Sequence, residues 1–277
     1  MSRSVALAVA SFVVAAAACS LTTDFDKFDR GGATPGSSSG TSSSDGAATG
    51  AETGASSGAT SGGDAGAEGG GGLDCTGVTF CDGFERDQPK GQWTDYSLLK
   101  GSTFAITHEH PRSGSSAVRF TLGTSDGATA MLFVNGLPAA KTIDLRYAFW
   151  TDKPIKQTNF CGLSFETASE QRALFLVLNN GQATFAEQYQ VNGTQKAFQE
   201  SVPIEVPLGR WVEVAVSFDL TTRALRVVFD GKVMVDSYTV GALPTEAPRL
   251  YGGVPYTGAG PSYDIDLDDV RLTIVPR

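Results

Sequence analysis

Between Gly31 and Gly72 the chain carries no valine, isoleucine, leucine or aromatic residue. Only Pro35, Asp45, Glu52, Asp64 and Glu68 interrupt glycine, serine, alanine and threonine there. Without apolar side chains nothing offsets the entropy of ordering a backbone, so residues 19–72 read as a flexible linker and not as a domain. About 50 such residues have a random-coil reach of roughly 40 Å. A lysine/arginine cluster is also missing, although the chain has a net charge of −9. That absence argues against nucleic acid as a partner, since phosphate binding rests on clustered cations. No G-x-S-x-G elbow, no phosphate-cradling glycine loop and no HExxH pair is present. After Leu73 almost no stretch has helical periodicity, which excludes helical folds.

What stands before the linker is an address. Arg3 gives a positive start, Val5 to Ala18 form an apolar run, and Ala16-Ala17-Ala18-Cys19 closes it. The run suits a signal segment and is too short to span a bilayer, which needs about 20 residues. Residues 1–18 are therefore expected to be a signal peptide. The ending resembles the lipobox of bacterial lipoproteins. That resemblance implies acylation of Cys19, an N-terminal lipid anchor in the membrane and a place in the cell envelope. Ser20, where an aspartate would stand for inner-membrane retention, points by the same analogy to the outer membrane or cell surface. Several acyl chains hold durably where one holds weakly.

Export places the remaining cysteines in an oxidising space. Cys75 and Cys81 enclose a five-residue loop and make the pairing with the least loop-closure cost. Cys161 lies in the apolar run Asn159-Phe160-Cys161-Gly162-Leu163 and reads as a buried small hydrophobe.

From Leu73 to the end, short alternating segments follow one another between turn residues. Gly209 to Asp236 is the clearest: Val212, Val214, Val216 and Phe218 share one parity, and Leu225, Val227 and Phe229 form a second row. Asp230-Gly231 then supplies a type I′ turn before Val233 and Val235. An antiparallel three-strand meander is predicted here. Asn135-Gly136, Asn180-Gly181 and Asn192-Gly193 punctuate further apolar runs as hairpin turns. Around a dozen strands in one unit, residues 73–277, predict an all-β, antiparallel two-sheet sandwich.

Gly209-Arg210-Trp211, the alternating run and Phe229-Asp230-Gly231 resemble concanavalin A-like, laminin-G-type jelly rolls. So do the opening Phe80-Cys81-Asp82-Gly83-Phe84-Glu85 and the closing Asp266-Leu267-Asp268-Asp269-Val270-Arg271-Leu272. The resemblance covers residues 78–275 and implies that the first and last strands are neighbours. Asp82, Glu85, Asp268 and Asp269 would then converge, and crowded carboxylates invite a hard cation, so a structural Ca²⁺ is expected. Asp264, Asp266 and Asp268 fall at i, i+2 and i+4 on one strand face, an echo of the catalytic strand of laminarinase-type β-glucanases. Val270, Leu272 and Ile274 share that parity, so the face is directed to the core unless a bulge intervenes at Asp268-Asp269.

His108-Glu109-His110 alternates two metal ligands, but Pro111 follows at once and a surface turn is expected. Tyr147, Phe149, Trp150, Phe185, Tyr189, Tyr251 and Tyr256 are candidates for a sugar-stacking platform, with more than half of them expected in the core. The reading favours a surface lipoprotein that binds an extracellular glycan or a surface protein without catalysis. The alternatives are a polysaccharide hydrolase or lyase working through Asp264, Asp266 and Asp268, and a structural envelope protein.

Overall fold

A computed structural model describes residues 73–277, and no helix occurs among them. Cys19, the signal segment and the linker lie outside the described residues. Two sheets face each other. The first runs β14 (Lys232–Thr239), β13 (Ala224–Phe229), β12 (Val212–Asp219), β6 (Ala140–Trp150), β16 (Tyr263–Pro276), β4 (Ala117–Leu122) and β3 (Thr103–Thr107), with β1 (Phe80–Asp82) also paired to β16. The second runs β10 (Thr194–Glu200), β9 (Gln182–Val191), β8 (Glu170–Asn179), β7 (Thr158–Glu166), β15 (Arg249–Thr257), β5 (Ala128–Val134) and β2 (Asp95–Leu99), with β11 (Ile204–Glu205) on β9.

The predicted meander is β12-β13-β14, antiparallel throughout. Its inward parity is the predicted one: Val212, Val214, Val216, Phe218, Leu225, Val227 and Phe229 are all buried. Asp230 and Gly231 adopt φ of 50° and 75°, as a type I′ turn requires. Asn180-Gly181 and Asn192-Gly193 do the same between β8 and β9 and between β9 and β10. Asn135-Gly136 does not close a hairpin, because β5 and β6 belong to different sheets and the chain crosses between them there.

The two ends meet as expected. β1 pairs with the second half of β16, Phe80 opposite Leu272 and Asp82 opposite Val270. β4 pairs with the first half, ending with Val118 opposite Leu267. Asp268 and Asp269 fall in the gap between these two ladders. On the other side of β16 the register with β6 slips between Asp268 and Arg271, and Asp269 has φ of 54°. A bulge therefore sits where the parity argument required one. It turns Val270, Leu272 and Ile274 into the core while Asp264, Asp266 and Asp268 face out of the first sheet. The Cys75–Cys81 disulfide is formed and clasps the strand that enters this junction.

Candidate binding face

One large core fills the space between the sheets. A second, separate apolar cluster lies on the outward face of the second sheet: Met131, Phe133, Ala173, Phe175, Val177, Ala186 and Tyr251. Registered partners of an antiparallel pair share a face, so the face can be read rung by rung. One rung is Phe133, Tyr251, Gly162, Phe175, Ala186 and Glu200. The next is Arg249, Ser164, Ala173, Gln188 and Phe198. A third is Glu166, Gln171, Gln190 and Gln195. Aromatic rings thus give way to an array of amides along the strand direction.

Local irregularity builds the first rung. Phe160 faces Leu176 in the core, Cys161 is the extra residue of a bulge, and Gly162 then faces outward opposite Phe175. A side chain at Gly162 would meet the Leu174 carbonyl oxygen at 2.1 Å and the Tyr251 hydroxyl at 2.9 Å, so glycine is what lets the Tyr251 ring lie across β7. Burial pushes the Tyr251 phenol well above its ordinary pKa, keeping it protonated.

The polar rungs are tied together incompletely. Glu166 accepts from Ser164 Oγ (2.6 Å) and Gln171 Nε2 (2.8 Å) through one oxygen and faces Arg249 Nη1 at 3.4 Å through the other. Gln188 Nε2 donates to Gln195 Oε1 at 2.8 Å. The Arg249 guanidinium lies 4.0 Å above the Phe133 ring, and its Nε is buried without a partner. Gln190 is only 4 % exposed and its Nε2 is likewise unpartnered. A buried N–H without an acceptor costs about 1–3 kcal/mol, which an incoming acceptor would recover. Flat apolar rings beside unspent donors suit a ligand with apolar faces and oxygen edges. Glu166 and Glu200, the carboxylates of these rungs, are about 20 Å apart by strand spacing and rise. Paired-carboxylate glycoside hydrolysis uses roughly 5–10 Å.

The aspartates singled out from the sequence lie on the opposite side of the molecule. Asp264 accepts from Thr121 Oγ1 at 2.7 Å. Asp266 accepts from Arg119 Nε at 2.7 Å and Nη2 at 2.9 Å, and His110 Nδ1 lies 3.2 Å away. Its hydrogen bonds, with those of Glu109, hold the Arg119 pKa above the ordinary arginine value. His110 stacks on Trp150 with ring centroids 3.7 Å apart, while His108 Nδ1 lies against the Ser115 carbonyl at 2.9 Å. The surface turn expected here is therefore pinned to β16.

Around the gap in the ladder, loop 112–116 meets three of the four carboxylates expected to hold calcium. Arg112 N (3.0 Å) and Ser113 N (3.4 Å) donate to Asp268, Ser113 Oγ donates to Asp269 (2.5 Å), and the Ser115 and Ser116 amides donate to Glu85. Burial, helped by the neighbouring Asp269 charge, pushes the Asp268 pKa up to about 7 against those backbone donors. Asp82 is spent elsewhere: it accepts from Trp93 Nε1 at 2.8 Å, from Phe84 N at 2.8 Å and from Arg86. Among the described residues no three His, Cys, Asp or Glu side chains gather as a metal shell.

Residues 148–274 match the family model of the concanavalin A-like lectin/glucanases superfamily. The described residues form a two-sheet jelly roll, and its 148–274 part is similar to that superfamily. It is similar to the crystal structure of endo-β-1,4-glucuronan lyase from the fungus Trichoderma reesei, at 15 % identity and a TM-score of 0.57 over 72 % of this chain and 96 % of that one. It is also similar to Cip1, a cellulose induced protein, at 11 % identity and a TM-score of 0.53 over 72 % and 98 %. At such identities the likeness shows the jelly roll alone, on which many functions are built. No curated protein matches the sequence.

Of the seven aromatics proposed for a sugar platform, Tyr251 and Tyr256 lie on the outward face of the second sheet, Tyr256 opposite Asn159 and donating to Asp126 Oδ1 at 2.7 Å. Tyr147, Phe149 and Phe185 are core, and Trp150 lies under His110. Tyr189 has the inward parity of its strand, with Arg172 4.3 Å above its ring. Phe133, Phe175, Phe198, Gln188, Gln190 and Arg249 were not singled out. For Phe133 and Phe175 the signal was present in β5 and β8, where both parities are apolar or aromatic, a pattern that says both faces are buried.

Proposed function

We propose that the chain is a surface-anchored glycan-binding lipoprotein, non-catalytic, that uses the outward face of the second sheet. The observation that carries this reading is the unpartnered Gln190 Nε2, almost fully buried, with the unpartnered Arg249 Nε on the same face beside Phe133. A sugar offers hydroxyl and ring oxygens to such donors and its apolar face to Phe198, which is 40 % exposed and packs on the buried Phe175. Acylation of Cys19 holds the domain at the envelope on a linker long enough to let it turn. A structural calcium at the gap in the β16 ladder would draw on Asp268 and Asp269 and would have to displace the Arg112 guanidinium, which lies 3.1 Å from Asp269, while Asp82 stays with Trp93 and Arg86.

Glycan-array screening of the full chain, followed by calorimetry on the best ligand, tests the face. Arg249→Met and Phe198→Ala should each weaken binding at least tenfold. Gln190→Leu should weaken it similarly while leaving the melting temperature unchanged or raised, because it removes an unsatisfied donor. Binding that ignores these three substitutions overturns the assignment of the face. Release of reducing ends or unsaturated products from the bound polysaccharide, lost on Asp264→Ala and Asp266→Ala, favours the hydrolase or lyase reading instead. Partition of the wild-type chain into detergent, lost in Cys19→Ala, tests the anchor.

A further inference from the structure

Four glutamines share the outward face of the second sheet. Gln171, Gln190 and Gln195 lie side by side on one rung, in registered pairing across β8, β9 and β10. Gln188 stands on the next rung, between Ala173 and Phe198. Two hydrogen bonds use part of this amide set. Gln171 Nε2 donates to Glu166 at 2.8 Å, and Gln188 Nε2 donates to Gln195 Oε1 at 2.8 Å. Gln190, the middle amide of its row, takes part in neither. Its Nε2 is buried and has no acceptor, although an amide stands on each side of it. A primary amide nitrogen has two protons to give, so this one calls for an oxygen from outside the chain. One rung away, Ala173 and the exposed Phe198 supply apolar surface.

We infer that the sugar recognised on this face carries an acetamido group, as the N-acetylhexosamines do, with its carbonyl oxygen accepting from Gln190 Nε2 and its methyl against the Ala173–Phe198 rung. The inference rests on the proposed glycan face and narrows its ligand. Adjacent same-face rungs are about 7 Å apart along the strands. A hydrogen bond at the oxygen end of an acetamido group and a van der Waals contact at its methyl end span that distance. A hydroxyl in its place reaches the donor or the apolar rung, not both. An amide carbonyl is also a neutral acceptor, so its burial beside Gln190 and Gln188, each only 4 % exposed, carries no cost of desolvating a charge.

The test is calorimetry on the full chain with two sugars: the β-1,4-linked tetramer of N-acetylglucosamine, and cellotetraose, which has the same linkage and a hydroxyl for each acetamido group. The acetamido tetramer should bind at least tenfold more tightly. Gln190→Leu should bring it down to the level of cellotetraose, with the melting temperature unchanged or raised. Phe198→Ala, at an exposed side chain, should weaken the acetamido tetramer at least tenfold. Equal binding of the two tetramers, or a preference that survives Gln190→Leu, overturns the inference and leaves the glycan face standing. The same holds if neither tetramer binds while another glycan does and is lost on Arg249→Met. Absence of binding to any glycan on an array ends both readings together.

Discussion

Cys161 shows how a single residue sets up both sides of a sheet. It is fully buried, has φ of 31° and forms the bulge that sends Gly162 to the outward face. Burial pushes its thiol pKa well above the ordinary value, so the thiolate that reacts with alkylating agents does not form in the folded protein. Iodoacetamide should therefore leave Cys161 unmodified in the native state from pH 7 to 9, and modify it fully in denaturant. Intact-mass measurement reads this directly, and native modification that grows with pH would contradict it. The sequence showed the burial of Cys161, because its neighbours are apolar. The bulge was invisible, since it exists only relative to the register of β8. Gln190 and Arg249 were unreadable for a related reason: their missing partners are a property of three-dimensional neighbours, not of spacing.

Among elements, the alternating strands of the first sheet were legible almost residue by residue, and those of the second sheet were located without their second face. β12 and β13 have one wet face, so period-two hydrophobicity states which side is inward. β5 and β8 are buried on both faces, and a continuous apolar run carries no such statement. β10 was not predicted at all, because Thr194–Glu200 is exposed throughout and carries no alternating apolar pattern. The bulge at Asp268-Asp269 was readable as a condition, since without it three aspartates would have faced the core. Gly162→Ala tests the close packing of β7 against Tyr251. The added methyl has no free space against the Leu174 carbonyl, so about 1–3 kcal/mol of stability should be lost. Glycan affinity should fall with it as the Tyr251 ring is displaced. A variant that melts and binds like the wild type would remove Gly162 from the architecture of the face.

For the whole molecule, the decisive feature is that the first and last strands close the sandwich together. β16 is shared lengthwise by β4 and β1, and the stretch between their ladders is covered by loop 112–116 and by Glu85. Hydrogen bonds from that loop satisfy the carboxylates, and Arg112 Nη1 pairs with Asp269 at 3.1 Å, so a cation bound beside the buried Asp268 would have to displace that arginine. A calcium ion there would stabilise the folded state alone. At a free concentration a hundred times its dissociation constant, such an ion adds about 2.7 kcal/mol. For a domain of this size that corresponds to a rise in melting temperature of roughly 5–10 °C. Melting in millimolar calcium should thus exceed melting in EGTA by that amount. Asp269→Asn should abolish the difference, and asparagine tolerates the left-handed backbone at this position, so the variant keeps its fold. Identical melting with and without calcium would leave the seam held by loop hydrogen bonds and the Cys75–Cys81 bridge alone.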